Sequence, residues 1–427
     1  MSVQEKVKPA LPNRKPLQTI LVKPAGPDCN MACAYCFYLK KGDLFGEPSK
    51  HRMPDNILEE LIQQGMRQAG REINFTWQGG EPLLMGLAFY QKAIEFQRKY
   101  GSGQTVGNGL QTNGLLIDDD WVQFLQSTNW LVGLSLDGPQ HVHDRYRRTK
   151  GGKSTWKAVV CSAEKLLEAG VAVNALTVVN DYSVRFPEEI YLFHKGLGLK
   201  YMQFVPCVET QAGEPSGMHP CSVPAEAYGT FLCKLFDLWI EDFVEGLPTT
   251  SVRIFDSLLH HYLGLVPPEC SLQEECGTYL VVEHNGDVYS CDFFVEPSGL
   301  LGNLGEESLL EMLNGNIQTA FGHQKMCLPT TCKACRWLVQ CRGGCTKDRL
   351  AGSDERRKNY LCASYNMFFE YSDERLRTLA DQLRKRQGTS KQIDGSDEKA
   401  MPDSGKVGRN VPCLCGSGKK HKKCCGR

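Results

Sequence analysis

The 427-residue chain has no run approaching the roughly 18 uninterrupted apolar residues of a membrane-spanning helix. Its opening, MSVQEKVKPALPNRKPLQ, lacks the apolar core of a secretory signal. These absences lead to the expectation of a cytoplasmic protein with no membrane partner. Net charge is also missing, 49 Lys and Arg against 49 Asp and Glu, so no global field draws the chain to nucleic acid. No nucleic-acid partner is expected from that balance. Extended disorder is excluded for most of the chain by a hydrophobic content of 41%, enough for one large or two ordinary domains. What abounds is cysteine, with 20 residues in tight clusters. In a reducing compartment, clustered thiols are metal ligands rather than disulfides.

From residue 19 to about 245, β-rich runs alternate with amphipathic helical patterns. The runs TILVK, INFTW, TVGNGLQ, WLVGLSL, VAVNALTVV and KYMQFV are each followed by a helix, giving six strand-helix units. Such alternation implies an α/β fold whose parallel sheet is covered by helices, an open (β/α)6 barrel with function on the loops after the strands. From about 270 to 365 regularity falls, and VVEHNGDVYSCDF reads as a hairpin turning at Asn285-Gly286. A last amphipathic helix, NMFFEYSDERLRTLADQLRKR, precedes GTSKQIDGSDEKAMPDSG, which reads as a flexible linker. The closing KVGRNVPCLCGSGKKHKKCCGR is too short to fold without a metal or comparable cross-link. The expected division is 1–250 barrel, 251–375 Cys-rich domain, 376–404 helix end and linker, and 405–427 metal module.

The loop after the first strand carries CNMACAYC, with Cys29, Cys33 and Cys36. Three thiolates suit a 4Fe-4S cluster with its fourth iron open to a ligand. Later strands end in TWQGGEP, LQTNG and GLSLDGP, followed by RYRRTKGG, and in a barrel such polar ends face the cavity mouth. Taken singly they read equally as turns and solvated charge. The Cys-rich region holds Cys270, Cys276 and Cys291, then Cys332, Cys335, Cys341 and Cys345, then Cys362. Eight thiolates suit two zinc ions or two iron-sulfur clusters, and the upstream loop favours iron and sulfur. Asp292 follows Cys291 directly and reads either as a turn carboxylate or as a general base near the cavity. In the tail, Cys413, Cys415, Cys424 and Cys425 match a closed structural zinc site, and the Lys-rich loop there reads as solubilising or as a docking element. Cys161, Cys207, Cys221 and Cys233 read as core or incidental thiols, Cys327 as a free one, and His141 and His143 as loop residues rather than ligands.

The three-Cys loop, with Tyr35 before its last Cys, resembles the signature of radical S-adenosylmethionine (SAM) enzymes, in which SAM chelates the open iron. The resemblance implies that Gly80 and its neighbours meet the SAM amino group. It also implies SAM contacts at Ser135 and Arg147, and Val208 beside the adenine. The downstream Cys run resembles the SPASM extension, which implies two auxiliary 4Fe-4S clusters. One is held by Cys270, Cys276, Cys291 and Cys345, the other by Cys332, Cys335, Cys341 and Cys362. The tail resembles the SEC-C zinc motif.

Together CNMACAYCFY, TWQGGEPLLMG, LQTNG, VGLSLDGP, SVRIFDSLL, SCDFF and the SPASM run resemble the anaerobic sulfatase-maturating enzymes, over residues 18 to 372. Membership implies oxidation of a Cys or Ser in a sulfatase's Cys/Ser-x-Pro-x-Arg segment to Cα-formylglycine, with Asp292 as the base. A deoxyadenosyl radical takes a hydrogen from the target Cβ, Asp292 takes the thiol or hydroxyl proton, and the surplus electron leaves through an auxiliary cluster. The implied partners are an unfolded or nascent sulfatase polypeptide and an electron donor such as ferredoxin or flavodoxin. Competing readings are another SPASM peptide maturase, forming a thioether crosslink, and a non-catalytic iron-sulfur carrier or zinc-bearing binding module. The carboxylate beside the cluster and the open iron argue against these in turn.

Overall fold

The computed structural model describes residues 14–46, 50–211, 217–349 and 358–393. The strands β1 (Thr19–Lys23), β2 (Glu72–Trp77), β3 (Thr105–Thr112), β4 (Leu131–Ser135), β5 (Ala172–Val179) and β6 (Tyr201–Pro206) lie side by side in chain order, all parallel. Helices α1 (Asp55–Gln68), α2 (Leu87–Tyr100), α3 (Asp119–Ser127), α4 (Gln140–Tyr146) with α5 (Trp156–Glu168), α6 (Pro187–Gly196) and α7 (Ala225–Glu241) follow the strands in turn. The expected six strand-helix units are therefore present. α1 shows the cause: Leu58, Leu61, Ile62, Gly65 and Met66 recur at helical spacing and are the residues it buries. Gly65 lets α1 settle on the sheet, since a Cβ there would lie 3.0 Å from Phe75. Asp118 caps α3 by accepting from Trp121 N at 3.0 Å.

After a short hairpin, β7 (Phe243–Val244) and β8 (Leu247–Pro248), the strand β9 (Ser251–Val252) adds parallel to β6. The chain then crosses to the opposite edge of the sheet. There β10 (Leu280–Glu283) pairs parallel with β1, bringing Glu283 into register with Lys23. β11 (Asp287–Tyr289) and β12 (Leu300–Asn303) continue the same sheet in antiparallel fashion. The hairpin turn falls at Asn285-Gly286 as expected, with Gly286 at φ 88°. The Cys-rich region is thus tied by backbone hydrogen bonds to the strand that precedes the first Cys loop.

Two expectations need correction. The segment GPQHVHDRYR, read as a loop, contains the helix α4, which buries Val142 and His143 and starts after Pro139. Its His and charged residues disguised a short helical face. The last helix runs from Cys362 to Ile393, so residues 388–393, read as linker, are helical. The rest of the linker and the closing Cys module fall outside the described residues.

Candidate active site and iron-sulfur centres

The sequence-predicted residues gather at the carboxyl ends of the parallel strands. The loop after β1 carries the three thiols, and its backbone is pinned by Ala32 N to Arg148 O at 2.9 Å and Ala34 N to Tyr146 O at 3.1 Å. Gly80, after β2, packs on the same loop: its N–H donates to Gly26 O at 2.8 Å, and a Cβ would sit 1.9 Å from Asp28 O. The close approach that Gly80 permits is therefore to the Cys loop. Glu81, fully buried, accepts from Leu83 N, Thr112 Oγ1 and Asn113 N at 3.0, 2.8 and 2.8 Å, which ties the end of β2 to that of β3.

Tyr35 and Arg147 meet in a buried network. Tyr35 Oη donates to Asp137 Oδ2 at 2.6 Å and accepts from Arg147 Nη1 at 2.9 Å. Burial pushes the Asp137 carboxyl upward, with Arg147 opposing it. Arg147 Nε is buried without a hydrogen-bond partner, an orphan donor in this network. Ser135, at the end of β4, accepts from Gln111 Nε2 at 2.9 Å, and Val208, just past β6, is buried. Burial raises the Cys29 thiol to about 11, and Glu81, Cys33 and Cys36 reinforce it. Three such thiols become thiolates together only against concentrated positive charge, which an iron cluster supplies.

Cys332, Cys335, Cys341 and Cys362 line one cavity of about 230 Å³ with Trp337 and Tyr365. Burial raises Cys270 to about 12 and Cys291 to about 11, and Cys276 adds to both, while Cys345, raised further by burial, feels Cys291 and Cys270. Among the described residues no three potential ligands converge around a single metal ion. The donor chemistry and the cavity fit polynuclear clusters.

Asp292 directly follows Cys291 and reaches the ends of β1 and β2. One carboxylate oxygen pairs with Lys23 Nζ and the other accepts from Gln78 Nε2 at 2.8 Å. Lys23 is 1% exposed and lies 3.4 Å over the Tyr38 ring, while Tyr38 Oη contacts Glu283. The turn-carboxylate reading does not describe a side chain held by a buried cation. Sequence reasoning missed Lys23, Tyr38, Gln78 and Glu283; the available signal was a Lys closing the otherwise apolar strand TILVK. His141 and His143 diverge, His141 toward Glu189 at 3.1 Å and His143 toward Thr155 at 3.1 Å.

The family description Radical SAM superfamily matches residues 24–191, Iron-sulfur cluster-binding domain (SPASM) residues 270–336, and SEC-C motif residues 409–427. Fold and thiol sets thus define a radical SAM enzyme with an auxiliary iron-sulfur domain. The serine-type anaerobic sulfatase-maturating enzyme of Bacteroides thetaiotaomicron is 41% identical over 377 residues, covering 84% of this chain and 90% of that one. The cysteine-type enzyme of Clostridium novyi is 36% identical over 371 residues, covering 86% and 99%. The chain belongs to the family of anaerobic sulfatase-maturating enzymes. The solved structure of native anSMEcpe with bound AdoMet and Cp18Cys peptide superposes with a TM-score of 0.80 at 36% identity, covering 86% of this chain and 100% of that one. Streptococcus suis SuiB, at 15% identity and a TM-score of 0.56, shares the fold.

Proposed function

We propose that this chain oxidises a Cys or Ser side chain in a sulfatase Cys/Ser-x-Pro-x-Arg segment to Cα-formylglycine without oxygen. The observation that carries the reading is the Lys23–Asp292–Gln78 group at the ends of β1 and β2, with Asp292 directly following Cys291. Cys29, Cys33 and Cys36 would hold a cluster that, with SAM, would supply the radical chemistry needed at the target Cβ. Asp292 receives the target's thiol or hydroxyl proton. Its Oδ2 accepts from Gln78, while Oδ1 forms an ion pair with Lys23 and accepts no hydrogen bond, so the carboxylate keeps lone pairs for that proton. Lys23 balances the carboxylate charge, and Gln78 fixes its plane. Tyr35, Gly80, Ser135, Arg147 and Val208 form the SAM-facing wall. Cys270, Cys276, Cys291 and Cys345, and separately Cys332, Cys335, Cys341 and Cys362, hold the auxiliary clusters.

On this reading residues 1–250 generate the radical, 251–375 carry the auxiliary clusters, and 376–404 lead to a zinc module at 405–427 held by Cys413, Cys415, Cys424 and Cys425. The setting is cytoplasmic, the substrate a nascent or unfolded sulfatase, and the reductant of the ferredoxin or flavodoxin class. Among the described residues no helix is long and apolar enough to cross a membrane. The test is anaerobic incubation of the reconstituted protein with SAM, reductant and paired peptides carrying Cys-x-Pro-x-Arg or Ser-x-Pro-x-Arg. An aldehyde at the target position, seen by mass analysis and hydrazide capture, is expected in at least one peptide. A thioether or an unmodified peptide with SAM cleaved overturns it. Removing residues 405–427 is expected to leave peptide oxidation unchanged and to remove the bound zinc.

A further inference from the structure

Beyond β6 the chain folds back on itself as a narrow ribbon over the barrel mouth. His219 N donates to Glu209 O at 2.8 Å, Gln211 N to Gly217 O at 3.1 Å, and Thr210 bridges Met218. Continued inward, this antiparallel register sets Cys207 opposite Cys221. Their sulfurs are 3.7 Å apart, in mutual hydrogen-bonding contact. Nothing in the proposed reaction uses them, and neither belongs to a ligand set. Sequence reading left both as unrelated thiols, because the pairing depends on where the ribbon turns.

A third group completes the arrangement. His219 Nδ1 lies 2.8 Å from Cys221 Sγ and accepts from Cys221 N at 3.2 Å. A ring nitrogen that accepts from a backbone N–H carries a lone pair, so Nδ1 is placed to receive the Cys221 thiol proton. Both cysteines are buried, in the cluster that contains Met31, Cys33 and Tyr35 of the first Cys loop. His219 is half-buried and its neighbour Pro220 exposed, so the pair lies one residue beneath the surface of the ribbon.

We propose that Cys207 and Cys221, with His219 as base, form a redox-active thiol pair that a peroxide converts to a disulfide beside the radical-generating loop. His219 takes the Cys221 proton, and the thiolate attacks one peroxide oxygen. The S–O bond forms, the O–O bond breaks, and the hydroxide released takes the proton back from His219, giving water. Cys207 then attacks the Cys221 sulfenic sulfur. The S–S bond forms, the S–O bond breaks, and the Cys207 proton leaves with the hydroxyl as a second water. Two thiols lose two electrons and two protons, and one hydrogen peroxide is reduced to two waters. Closure shortens the S–S separation from 3.7 Å to about 2.05 Å, a side-chain adjustment within an existing pair. The pair anchors the ribbon that carries Val208 and Glu209, whose carboxylate holds Lys347 at 2.6 Å, so the new bond stiffens the link between the barrel mouth and the segment after Cys345.

The experiment treats anaerobic, cluster-loaded full-length protein with graded hydrogen peroxide, then quenches it in acid and alkylates in denaturant. Cleavage after Glu209 and Glu214 separates the two cysteines, so only a disulfide keeps their peptides joined. Joined peptides are expected before iron is lost and are expected to part with dithiothreitol. C207S should instead leave a Cys221 sulfenic acid that dimedone traps. H219Q should slow joining by roughly ten-fold at neutral pH, through the lower thiolate fraction. Both cysteines alkylated while iron departs, either one joined to Cys29, Cys33 or Cys36, or C207S protein that binds less iron than the parent would each overturn the proposal. Joining at the parental rate in H219Q removes the imidazole from it.

Discussion

In the barrel, the buried imidazoles are kept neutral; in the Cys-rich region, buried cations lie among thiols. His143 and His194 are both fully buried, and burial holds each imidazole well below its ordinary range, so these rings serve as neutral hydrogen-bonding partners. Lys325 and Arg349 are buried too, but among thiols. Lys325 Nζ donates to the carbonyls of Cys270 and Ser271 at 2.6 and 2.9 Å. Arg349 donates to the carbonyls of Gly343, Gln324 and Arg342, on and beside the turn that joins Cys341 of one set to Cys345 of the other. Burial lowers both cations, and the surrounding thiols push back. A fold without clusters has no reason to bury two cations there, whereas thiolate-ligated clusters give them counter-charge. The single buried Lys in the barrel's sheet, Lys23, stands where the two regions meet and has Asp292 as its partner.

The sharpest break between the regions comes from the thiols themselves. Replacing Cys29, Cys33 and Cys36 with Ala is expected to abolish SAM cleavage and lower bound iron from about twelve to about eight atoms per chain. Iron analysis and deoxyadenosine release check both halves. Loss of all iron would mean the two regions assemble as one unit.

Next in size is Asp292→Asn, which keeps shape and removes the proton acceptor. Peptide oxidation is expected to fall by roughly a hundred-fold or more, with SAM cleavage and iron retained. Near-parental aldehyde formation would move the base elsewhere. Lys23→Met then tests the seam. Leaving a largely buried carboxylate without its cation costs about 3 kcal/mol, read as a lower unfolding midpoint. Adding Asp292→Asn to Lys23→Met should recover much of that loss, since the two act as a pair. Additive losses would mean the two side chains stabilise the fold independently.

Much of this was legible in the chain. Periodicity located β1 through β6 and their helices because each buries a regular apolar face, and the Asn285-Gly286 turn declared its hairpin. The division of the thiols into two sets came from the resemblance rather than from spacing, since Cys345 follows Cys341 closely, and Cys332, Cys335, Cys341 and Cys362 line one cavity. What stayed hidden depends on tertiary approach. Nothing local says that Lys23 meets Asp292, because the two are brought together only when β10 pairs with β1. Gly80 was legible as a close approach, but the partner, Asp28 O, lies on a different loop. α4 escaped because seven residues rich in His and charge carry too little apolar pattern to betray a helix.

The smallest expected effect concerns the neutral imidazoles of the barrel. Thr177 Oγ1 donates to Leu136 O at 3.0 Å and so accepts from His194 Nε2 at 2.9 Å, which places the ring hydrogen on Nε2 and leaves Nδ1 buried without a partner. Burial pushes His194 down from 6.5 to about 3. The folded state therefore refuses a proton that the unfolded chain accepts below 6.5. Stability from this residue is complete above that pH and is lost as pH falls from 6.5 toward 3. One pH unit below 6.5 the loss is about 1.4 kcal/mol. His194→Gln keeps an N–H donor for Thr177 and cannot titrate, so its unfolding midpoint should fall less than the parent's between pH 7 and pH 5.5. His143 continues to titrate in the variant, so the pH dependence shrinks without vanishing. An unchanged slope would show that His194 is protonated in the folded barrel, with a proton on the Nδ1 that here has no acceptor.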